Sequence, residues 1–134
     1  MASVTTAAPA VGEDKELLIS GSEAVAEALV LAEAAGVDAA KVREALLGGF
    51  AASRILEVHG QRMLDEAFQP GFRARLHLKD ARIVESMAGE LGVAVPALDV
   101  VRERLDQMVQ SGRGDLDHSA LVVLGRDGHR SASG

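Results

Sequence analysis

The sequence predicts an all-α protein, a single domain of about six helices. Apolar residues make up 48% of the 134-residue chain and aromatic residues only 2%, so the core must be built from Ala, Leu, Val, Ile and Met. Ala and Leu are strong helix formers, and the β-branched, aromatic-rich runs typical of strands are missing. No segment alternates between apolar and polar residues with a period of two. A chain of this length buries a hydrophobic core without disulfides or metal.

The first predicted helix covers residues 13–35, where apolar residues recur at steps of three and four. Gly36 ends it, because glycine readily adopts the left-handed conformation of a helix C-cap. The predicted buried face consists of Leu17, Leu18, Gly21, Val25, Ala28, Leu29 and Ala32. Small residues on part of this helix allow a close neighbour, so we expect it at the centre of the domain or in a dimer seam.

The remaining helices are separated by capping residues and turns. They are predicted over residues 39–47, about 54–67, about 73–91 and about 97–110, followed by a short last helix. Asp38, Ser53 and Asp117 are the predicted N-caps of the second, third and last helices, because their side-chain oxygens accept backbone N–H groups. Gly92 and Pro96 separate the fourth helix from the fifth.

Two terminal segments flank the helices. Residues 1–12 are rich in Ala, Thr and Pro, and residues 125–134 are rich in Gly and Ser. Such compositions contribute little to a core, so both are predicted to be disordered tails. The helical domain is therefore expected to cover residues 13–124.

Charge and composition exclude several classes of function. The formal net charge is −6, no Lys/Arg cluster is present, and neither Tyr nor Trp is available for base stacking, so we expect no nucleic-acid binding. Cysteine is absent, which fits a reducing compartment. The chain shows no signal-peptide pattern at its start and no apolar run of about 20 residues. A cytoplasmic protein without membrane segments is expected.

Three short motifs resemble catalytic or binding sites but lack the required geometry. Asp117, His118 and Ser119 are the residue types of a hydrolytic triad, yet three consecutive side chains cannot converge on one another. The spacing of Asp115, Asp117 and His118 matches no metal-ligand pattern, so no metal is predicted. The glycine pair at residues 112–114 follows a helix rather than a strand, which excludes a dinucleotide loop.

The third and fourth predicted helices contain four further candidate residues. His59 and His77 are interpreted as surface or hydrogen-bonded core histidines rather than general bases. The buried stripe of the fourth helix is predicted to be Leu76, Ile83, Val84 and Met87. Asp80 falls on this stripe and therefore needs a partner, either a structural ion pair or capping contact or a functional group. Lys79 lies on a different face of the same helix, and on pattern alone it is interpreted as a solvated lysine.

Five segments read together resemble one family. They are AVAEALVLAEAAGVD at 24–38, LGGFAASRILEVHG at 47–60, PGF at 70–72, HLKD at 77–80 and DHSAL at 117–121. Their order is similar to that of the C-terminal helical domain of the β-hydroxyacid dehydrogenases, which are 6-phosphogluconate dehydrogenase-like enzymes. The segment at 48–60 points to the tartronate semialdehyde reductase (2-hydroxy-3-oxopropionate reductase) branch. The resemblance covers residues 23–124.

The resemblance implies a two-domain enzyme. A Rossmann domain binds NAD(H) or NADP(H), and a long helix leads into an all-α domain that closes the active-site cleft and mediates dimer or tetramer assembly. Hydride passes between the nicotinamide and a 3-hydroxy acid or its semialdehyde. A lysine near the start of the long helix is the general acid/base, and an asparagine one turn later holds the substrate. A second lysine, in a later Lys-Asp pair, contacts the cofactor.

The family residues are only partly present in this chain. Lys79 matches the cofactor-contacting lysine, whereas Val11 occupies the catalytic lysine position and Asp14 the substrate asparagine position. Lys15 lies one turn, about 6 Å, beyond Val11, and a misplacement of about 1 Å already costs roughly a hundredfold in rate. No catalytic residue is therefore assigned.

Two functions follow from these observations. The first is a substrate-closing and oligomerisation lobe that lacks its Rossmann domain and is inactive alone. It would bind NAD or NADP only with a Rossmann domain supplied, which makes a separate Rossmann domain a candidate partner. The alternative is a stand-alone helical homodimer that serves as a binding or assembly module. A homo-oligomer is expected in both cases.

Overall fold

The computed structural model describes residues 11–133, and within them it contains six α-helices, one 3₁₀ turn and no β-strand. The helices are α1 (Val11–Ala34), α2 (Ala39–Leu47), α3 (Arg54–Asp65), α4 (Ala74–Leu91), α5 (Pro96–Gln110) and α6 (Leu121–Ser133), and the 3₁₀ turn His118–Ala120 directly precedes α6. The predicted all-α class and the number of helices are confirmed.

Helix α1 is the centre of the fold and packs against each of the other five helices. Its most buried apolar side chains include Ile19, Ala26 and Leu29, with exposed fractions of 1%, 3% and 0%. The predicted buried face is wrong at Leu17, which is 72% exposed. Because neighbours surround α1 on several sides, apolar residues occur around much of its circumference, and their spacing does not single out the most buried stripe.

The N-caps predicted for α2 and α3 are confirmed. Asp38 Oδ1 accepts a hydrogen bond from the Ala40 N–H at 2.9 Å, and Ser53 Oγ accepts one from the Leu56 N–H at 2.9 Å. Gly36, just after α1, has a φ of +76°, the left-handed conformation expected of a helix C-terminus. Local sequence chemistry therefore determines how α1, α2 and α3 are separated.

Ser53→Ala is expected to lower the free energy of unfolding by about 1 kcal/mol, because the Leu56 N–H loses its acceptor. Urea denaturation followed by far-UV circular dichroism measures this loss, since the chain has no Trp or Tyr for fluorescence. Ser86→Ala is the matched control: Ser86 lies exposed in α4, and its variant should stay within about 0.5 kcal/mol of the wild type. Equal losses in both variants would contradict the capping role.

The buried face of α4 differs from the predicted stripe. Of the apolar residues predicted there, Leu76, Ile83 and Met87 are 39%, 49% and 39% exposed. The buried side chains are Ala74, His77, Leu78, Ala81, Val84 and Ala88. Alanines let neighbouring helices approach closely. The packed face of α4 therefore contains small residues, whereas a prediction from hydrophobicity favours the larger apolar side chains. As a result His77 lies in the core, while Asp80 is only partly exposed.

The predicted disordered tail at 125–134 is wrong for the residues that the structure describes, because α6 continues to Ser133. The Arg126 guanidinium donates two hydrogen bonds to the Glu33 carboxylate, at 3.0 and 2.9 Å. Gly125 lies against α1, where an added Cβ would come within 3.0 Å of the Val30 side chain. Close packing on α1 thus explains a glycine that composition alone assigns to a tail.

Helix α1 begins at Val11, two residues before its predicted start. The predicted tail at residues 1–12 is therefore wrong at its last two positions, while residues 1–10 lie outside the described part of the chain. Within residues 11–133, no helix combines the length and the hydropathy that a bilayer-spanning segment requires.

Candidate functional site

The first turns of α1 contact α4, and this contact brings candidate site residues together. Lys15 and Asp80 form an ion pair, with Nζ 3.2 Å from Oδ2. The Lys15 ammonium also lies 4.2 Å from the centroid of the Phe72 ring, which is a cation–π distance. The two charged side chains are only 17% and 24% exposed, so solvent screens them less than a surface pair. Lys15 is thus the partner that the position of Asp80 requires.

The other predicted site residues lie near this pair but are not assembled with it. Lys79, predicted to contact the cofactor, is exposed on α4 and forms no ion pair with any residue in the range 11–133. Asp14 is exposed on α1. Val11, which is predicted to occupy the family lysine position, is the first residue of α1, and Lys15 follows one turn later.

The Lys15 amine is held in place by its two contacts. An ammonium group donates a proton to a developing alkoxide only if it lies within hydrogen-bond reach of that oxygen. Here the group is paired with Asp80 and packed on Phe72. The contact fixes a positive charge at the α1–α4 seam, one helical turn away from Val11.

The loop that carries Phe72 is held by the buried carboxylate of Asp117. Oδ1 accepts hydrogen bonds from the N–H groups of Gly71 and Phe72, both at 3.0 Å. Oδ2 accepts from the Ser119 N–H at 3.0 Å and from its hydroxyl at 2.6 Å. Burial alone would raise the pKa of Asp117, but these donors outweigh it and lower the pKa to about 2.

The geometry around Asp117 confirms its predicted capping role. Its side chain caps the 3₁₀ turn through the Ser119 N–H. Ser119 is fully buried, and its hydroxyl donates to Asp117 rather than to an imidazole. Asp117, His118 and Ser119 therefore lack the arrangement of nucleophile, base and orienting acid that a hydrolytic triad needs.

Behind Phe72, three imidazoles form a continuous row. Ring centroids are 4.2 Å apart for Phe72 and His77, 4.2 Å for His77 and His118, and 4.3 Å for His118 and His59. His77 is 1% exposed, and neither of its ring nitrogens has a hydrogen-bond partner within the described residues. The prediction of a surface or hydrogen-bonded core histidine is therefore wrong for His77.

The surroundings lower the pKa of all three imidazoles, which favours their uncharged form. Burial lowers the pKa of His77 to about 3, and the neighbouring charges of His118 and Lys15 act in the same direction. Burial, followed by the effect of His59, lowers the pKa of His118 to about 4. Burial also lowers the pKa of His59. The row therefore presents uncharged nitrogens in the interior rather than cations.

The sequence carries one signal for this histidine row. His59, His77 and His118 each lie in one of the segments that carry the family resemblance, at 47–60, 77–80 and 117–121. Their convergence depends on how α3, α4 and the 3₁₀ turn pack, which helical spacing does not reveal.

An apolar groove runs along the same α1–α4 seam. It is lined by Gly12, Glu13, Glu16, Val84, Met87, Ala88, Leu91, Val93 and Val95. No basic side chain lines it, and its two charged residues are both acidic. It is therefore a poor site for an anionic hydroxy acid, which needs cationic or N–H donor groups.

One group within residues 11–133 has the spacing of metal ligands. His59, Asp117 and His118 each offer a ligand atom, and these atoms all lie within 4.8 Å of one another. The sequence also suggested Asp115 as a companion of Asp117 and His118. Asp115 does not join this group, because its side chain is exposed and pairs with Arg75 at 2.7 Å. The prediction that no metal is bound stays a prediction.

Comparison with known proteins identifies relatives of this chain. Residues 16–124 match the family described as "NAD-binding of NADP-dependent 3-hydroxyisobutyrate dehydrogenase". The chain is 48% identical over 100 residues to 2-hydroxy-3-oxopropionate reductase of Escherichia coli (strain K12), which covers 75% of this chain and 34% of that protein. It is 33% identical over 97 residues to the probable 3-hydroxyisobutyrate dehydrogenase-like 1, mitochondrial, of Arabidopsis thaliana, covering 72% of this chain and 29% of that protein.

The fold also matches solved structures. A 3-hydroxyisobutyrate dehydrogenase from Salmonella typhimurium superposes with a TM-score of 0.81 at 22% identity, over 84% of this chain and 40% of that one. The chain spans about a third of the length of the curated relatives it matches. The predicted resemblance to the helical domain of β-hydroxyacid dehydrogenases is confirmed. The chain belongs to the 3-hydroxyisobutyrate dehydrogenase-like family, in the region described as "NAD-binding of NADP-dependent 3-hydroxyisobutyrate dehydrogenase".

Proposed function

We propose that this chain is the substrate-closing and assembly lobe of a tartronate semialdehyde reductase-like, NAD(P)-dependent oxidoreductase, and that it is not catalytic by itself. Its 48% identity to the Escherichia coli 2-hydroxy-3-oxopropionate reductase supports the substrate class. The observation that carries the proposal is the first turn of α1, where Val11 stands at the family lysine position and the next lysine, Lys15, is paired with Asp80.

The reaction explains why these residues matter. Reduction of a semialdehyde adds a hydride to the carbonyl carbon and a proton to the carbonyl oxygen, and the nicotinamide cofactor supplies the hydride. The proton must come from a group in hydrogen-bond reach of that oxygen. The resemblance implies a lysine at position 11 for this step. Valine has no proton to give, and the Lys15 amine is engaged by Asp80 one turn further along α1.

The cofactor contact is proposed at Lys79. Its side chain is exposed on α4 and forms no ion pair with any residue from 11 to 133, so its ammonium is available to an anionic group such as a cofactor phosphate. That same range holds no strand and hence no glycine loop between strand and helix that would cradle a pyrophosphate. NAD(P) binding is therefore proposed only together with a nucleotide-binding domain.

An assembly role is favoured by the outer face of α1. Leu17, Ala24 and Leu31 follow one another at seven-residue steps, which places them on the same side of the helix, and all three are exposed. Leu17 and Leu31 are each 72% exposed. Exposed apolar side chains that recur along one side of a helix favour an interface, so a homo-oligomer through α1 is proposed. The same exposed face of α1 also supports the alternative function, a helical homodimer that acts as an assembly module.

A pair of chimeras tests the lobe proposal. In the first, residues 16–124 of this chain replace the matching part of the Escherichia coli reductase, so that the relative keeps its own residues at positions 11–15. In the second chimera, the inserted part is residues 11–124 of this chain, so it includes Val11 and Asp14. We expect the first to reduce tartronate semialdehyde with NAD(P)H. The second should lose at least about a hundredfold in kcat, because the proton donor is missing.

The matched control restores the family residues in the second chimera. Val11→Lys with Asp14→Asn should recover most of the lost rate, and adding Lys15→Gln to this restored second chimera should leave a measurable rate. A first chimera that folds and assembles but does not reduce the semialdehyde would show that these helices do not serve as the lobe of such an enzyme. Activity of the second chimera without restoration would show that Val11 is no obstacle.

A further inference from the structure

A compact group of ligand-type side chains lies between α3 and the 3₁₀ turn, apart from the Lys15–Asp80 contact. His59 comes from α3, and Asp117 and His118 come from the start of the 3₁₀ turn. One ligand atom from each lies within 4.8 Å of the others. Asp117 and His118 are 1% and 3% exposed, so two of the three side chains belong to the protein interior.

The ring nitrogens in this group are not accounted for by hydrogen bonds. Both ring nitrogens of His118 and Nδ1 of His59 are buried without a partner within the described residues. A neutral imidazole has one N–H donor and one lone pair, and burying either without a partner costs free energy. A ligand that accepts lone pairs from two imidazoles would compensate for part of this cost.

The ligand set suits a cation with a preference for nitrogen ligands. His118 offers ring nitrogens that no hydrogen bond engages within the described residues. The Asp117 carboxylate accepts four hydrogen bonds, so an ion at Oδ2 would take the place of the Ser119 hydroxyl. Neutral imidazole and carboxylate together are the ligands of many zinc sites, whereas Mg²⁺ and Ca²⁺ prefer all-oxygen sets.

We propose that His59, Asp117 and His118 form a binding site for a divalent transition-metal ion of the Zn²⁺ or Co²⁺ type. The ion would link α3 to the 3₁₀ turn and so reinforce the loop that carries Phe72. Zn–N distances of about 2.0–2.1 Å require the ligand atoms to move closer than 4.8 Å. The His59 side chain is only half-buried, so it is the ligand best able to make this movement.

A nearby cation limits the affinity of the site. Arg62 Nε lies 3.7 Å from Asp117 Oδ2, beyond hydrogen-bond distance, and the guanidinium donates instead to the Ala67 and Gln69 carbonyls. Its positive charge repels any metal ion at the carboxylate. Bonds to two imidazoles must offset that repulsion, so Zn²⁺ should bind and Mg²⁺ should not.

Metal content and spectroscopy of the wild-type chain test the proposal without any activity assay, so the result is independent of the proposed function. The protein is prepared without a polyhistidine tag, stripped with EDTA and titrated with Zn²⁺ or Co²⁺. We expect one ion per chain, a higher melting temperature with Zn²⁺ but not with Mg²⁺, and the intense visible absorption of four-coordinate Co²⁺. No bound ion, or equal stabilisation by Mg²⁺ and Zn²⁺, would overturn the proposal.

Variants locate the ion. His59→Gln and His118→Gln should each abolish stoichiometric Zn²⁺ binding, while His129→Gln should not, because His129 is exposed on α6 and outside the group. If His118→Gln does not fold, as judged by circular dichroism, the half-buried His59 position decides the test. Zn²⁺ binding that survives His59→Gln, or that is lost in His129→Gln, would place the ion elsewhere and overturn the proposal.

Discussion

Asp117→Asn is expected to lower the free energy of unfolding by about 3–5 kcal/mol. The carboxylate accepts four hydrogen bonds, from Gly71, Phe72 and the backbone and hydroxyl of Ser119. An asparagine amide replaces one accepting oxygen with an NH₂ group, which faces N–H donors and leaves them buried without an acceptor. Since a domain of this size has a stability of about 5–15 kcal/mol, the variant should unfold at a much lower urea concentration.

The measurement is urea denaturation at pH 7 in the presence of EDTA, so that no metal ion contributes. Asp115→Asn is the matched control, two residues away. The Asp115 side chain is 73% exposed and pairs with Arg75 at the surface, so its loss should change stability by no more than about 1 kcal/mol. Similar losses in the two variants would mean that the buried carboxylate does not hold the Phe72 loop.

Glu23→Gln is expected to remove a pH dependence of stability amounting to about 3 kcal/mol. Glu23 is 5% exposed, and its Oε1 has no hydrogen-bond partner within the described residues. Burial raises the pKa of Glu23 from 4.5 to about 7, although the charge of Arg104 opposes the shift. The Arg104 Nε lies 3.4 Å from Oε2 without hydrogen-bond geometry, which explains why the ion pair does not offset the burial.

The direction of the effect follows from the raised pKa. The folded protein holds the Glu23 proton more tightly than the unfolded chain, so its contribution to stability is complete below about pH 4.5 and is lost as the pH rises through about 7. Wild type and Glu23→Gln should therefore be similar in stability at pH 5, and the variant should be the more stable at pH 8.5.

The difference between the two proteins is the quantity to measure, by urea denaturation at pH 5, 6, 7 and 8.5. All other ionisable groups are the same in the two proteins, so their contribution cancels. Glu103→Gln is the control, because Glu103 is exposed on the same helix as Arg104, and its difference from wild type should not vary with pH. A Glu23→Gln difference that is flat from pH 5 to 8.5 would show that the Glu23 carboxyl is already ionised at low pH.

Local chemistry made most of the helices predictable. Asp38 and Ser53 cap helices as expected, and Gly36 and Gly92 end them in the left-handed conformation. The errors occur where tertiary packing decides. Leu17 matches the apolar period of α1 yet lies outside because other residues face the crowded centre. The final nine residues of α6 look like a tail but are helical, where Arg126 reaches Glu33 of α1.

The candidate site was predictable only where the family segments specify positions. The family roles given to Val11, Asp14 and Lys79 stay predictions, while the Lys-Asp pair at 79–80 lies in α4. The Lys15–Asp80 ion pair joins residues 65 positions apart, so no local pattern contains it. The row of histidines likewise depends on the packing of three separate elements.

We propose that this polypeptide lacks a proton donor where carbonyl reduction needs one. The most direct test is the rate of NADPH and NADH oxidation with tartronate semialdehyde by the purified 134-residue chain, with the Escherichia coli reductase as positive control. We predict no oxidation above the rate without protein. Saturable, protein-dependent turnover that persists after removal of contaminating reductases, and disappears in Lys15→Gln, would contradict the account and make Lys15 the donor.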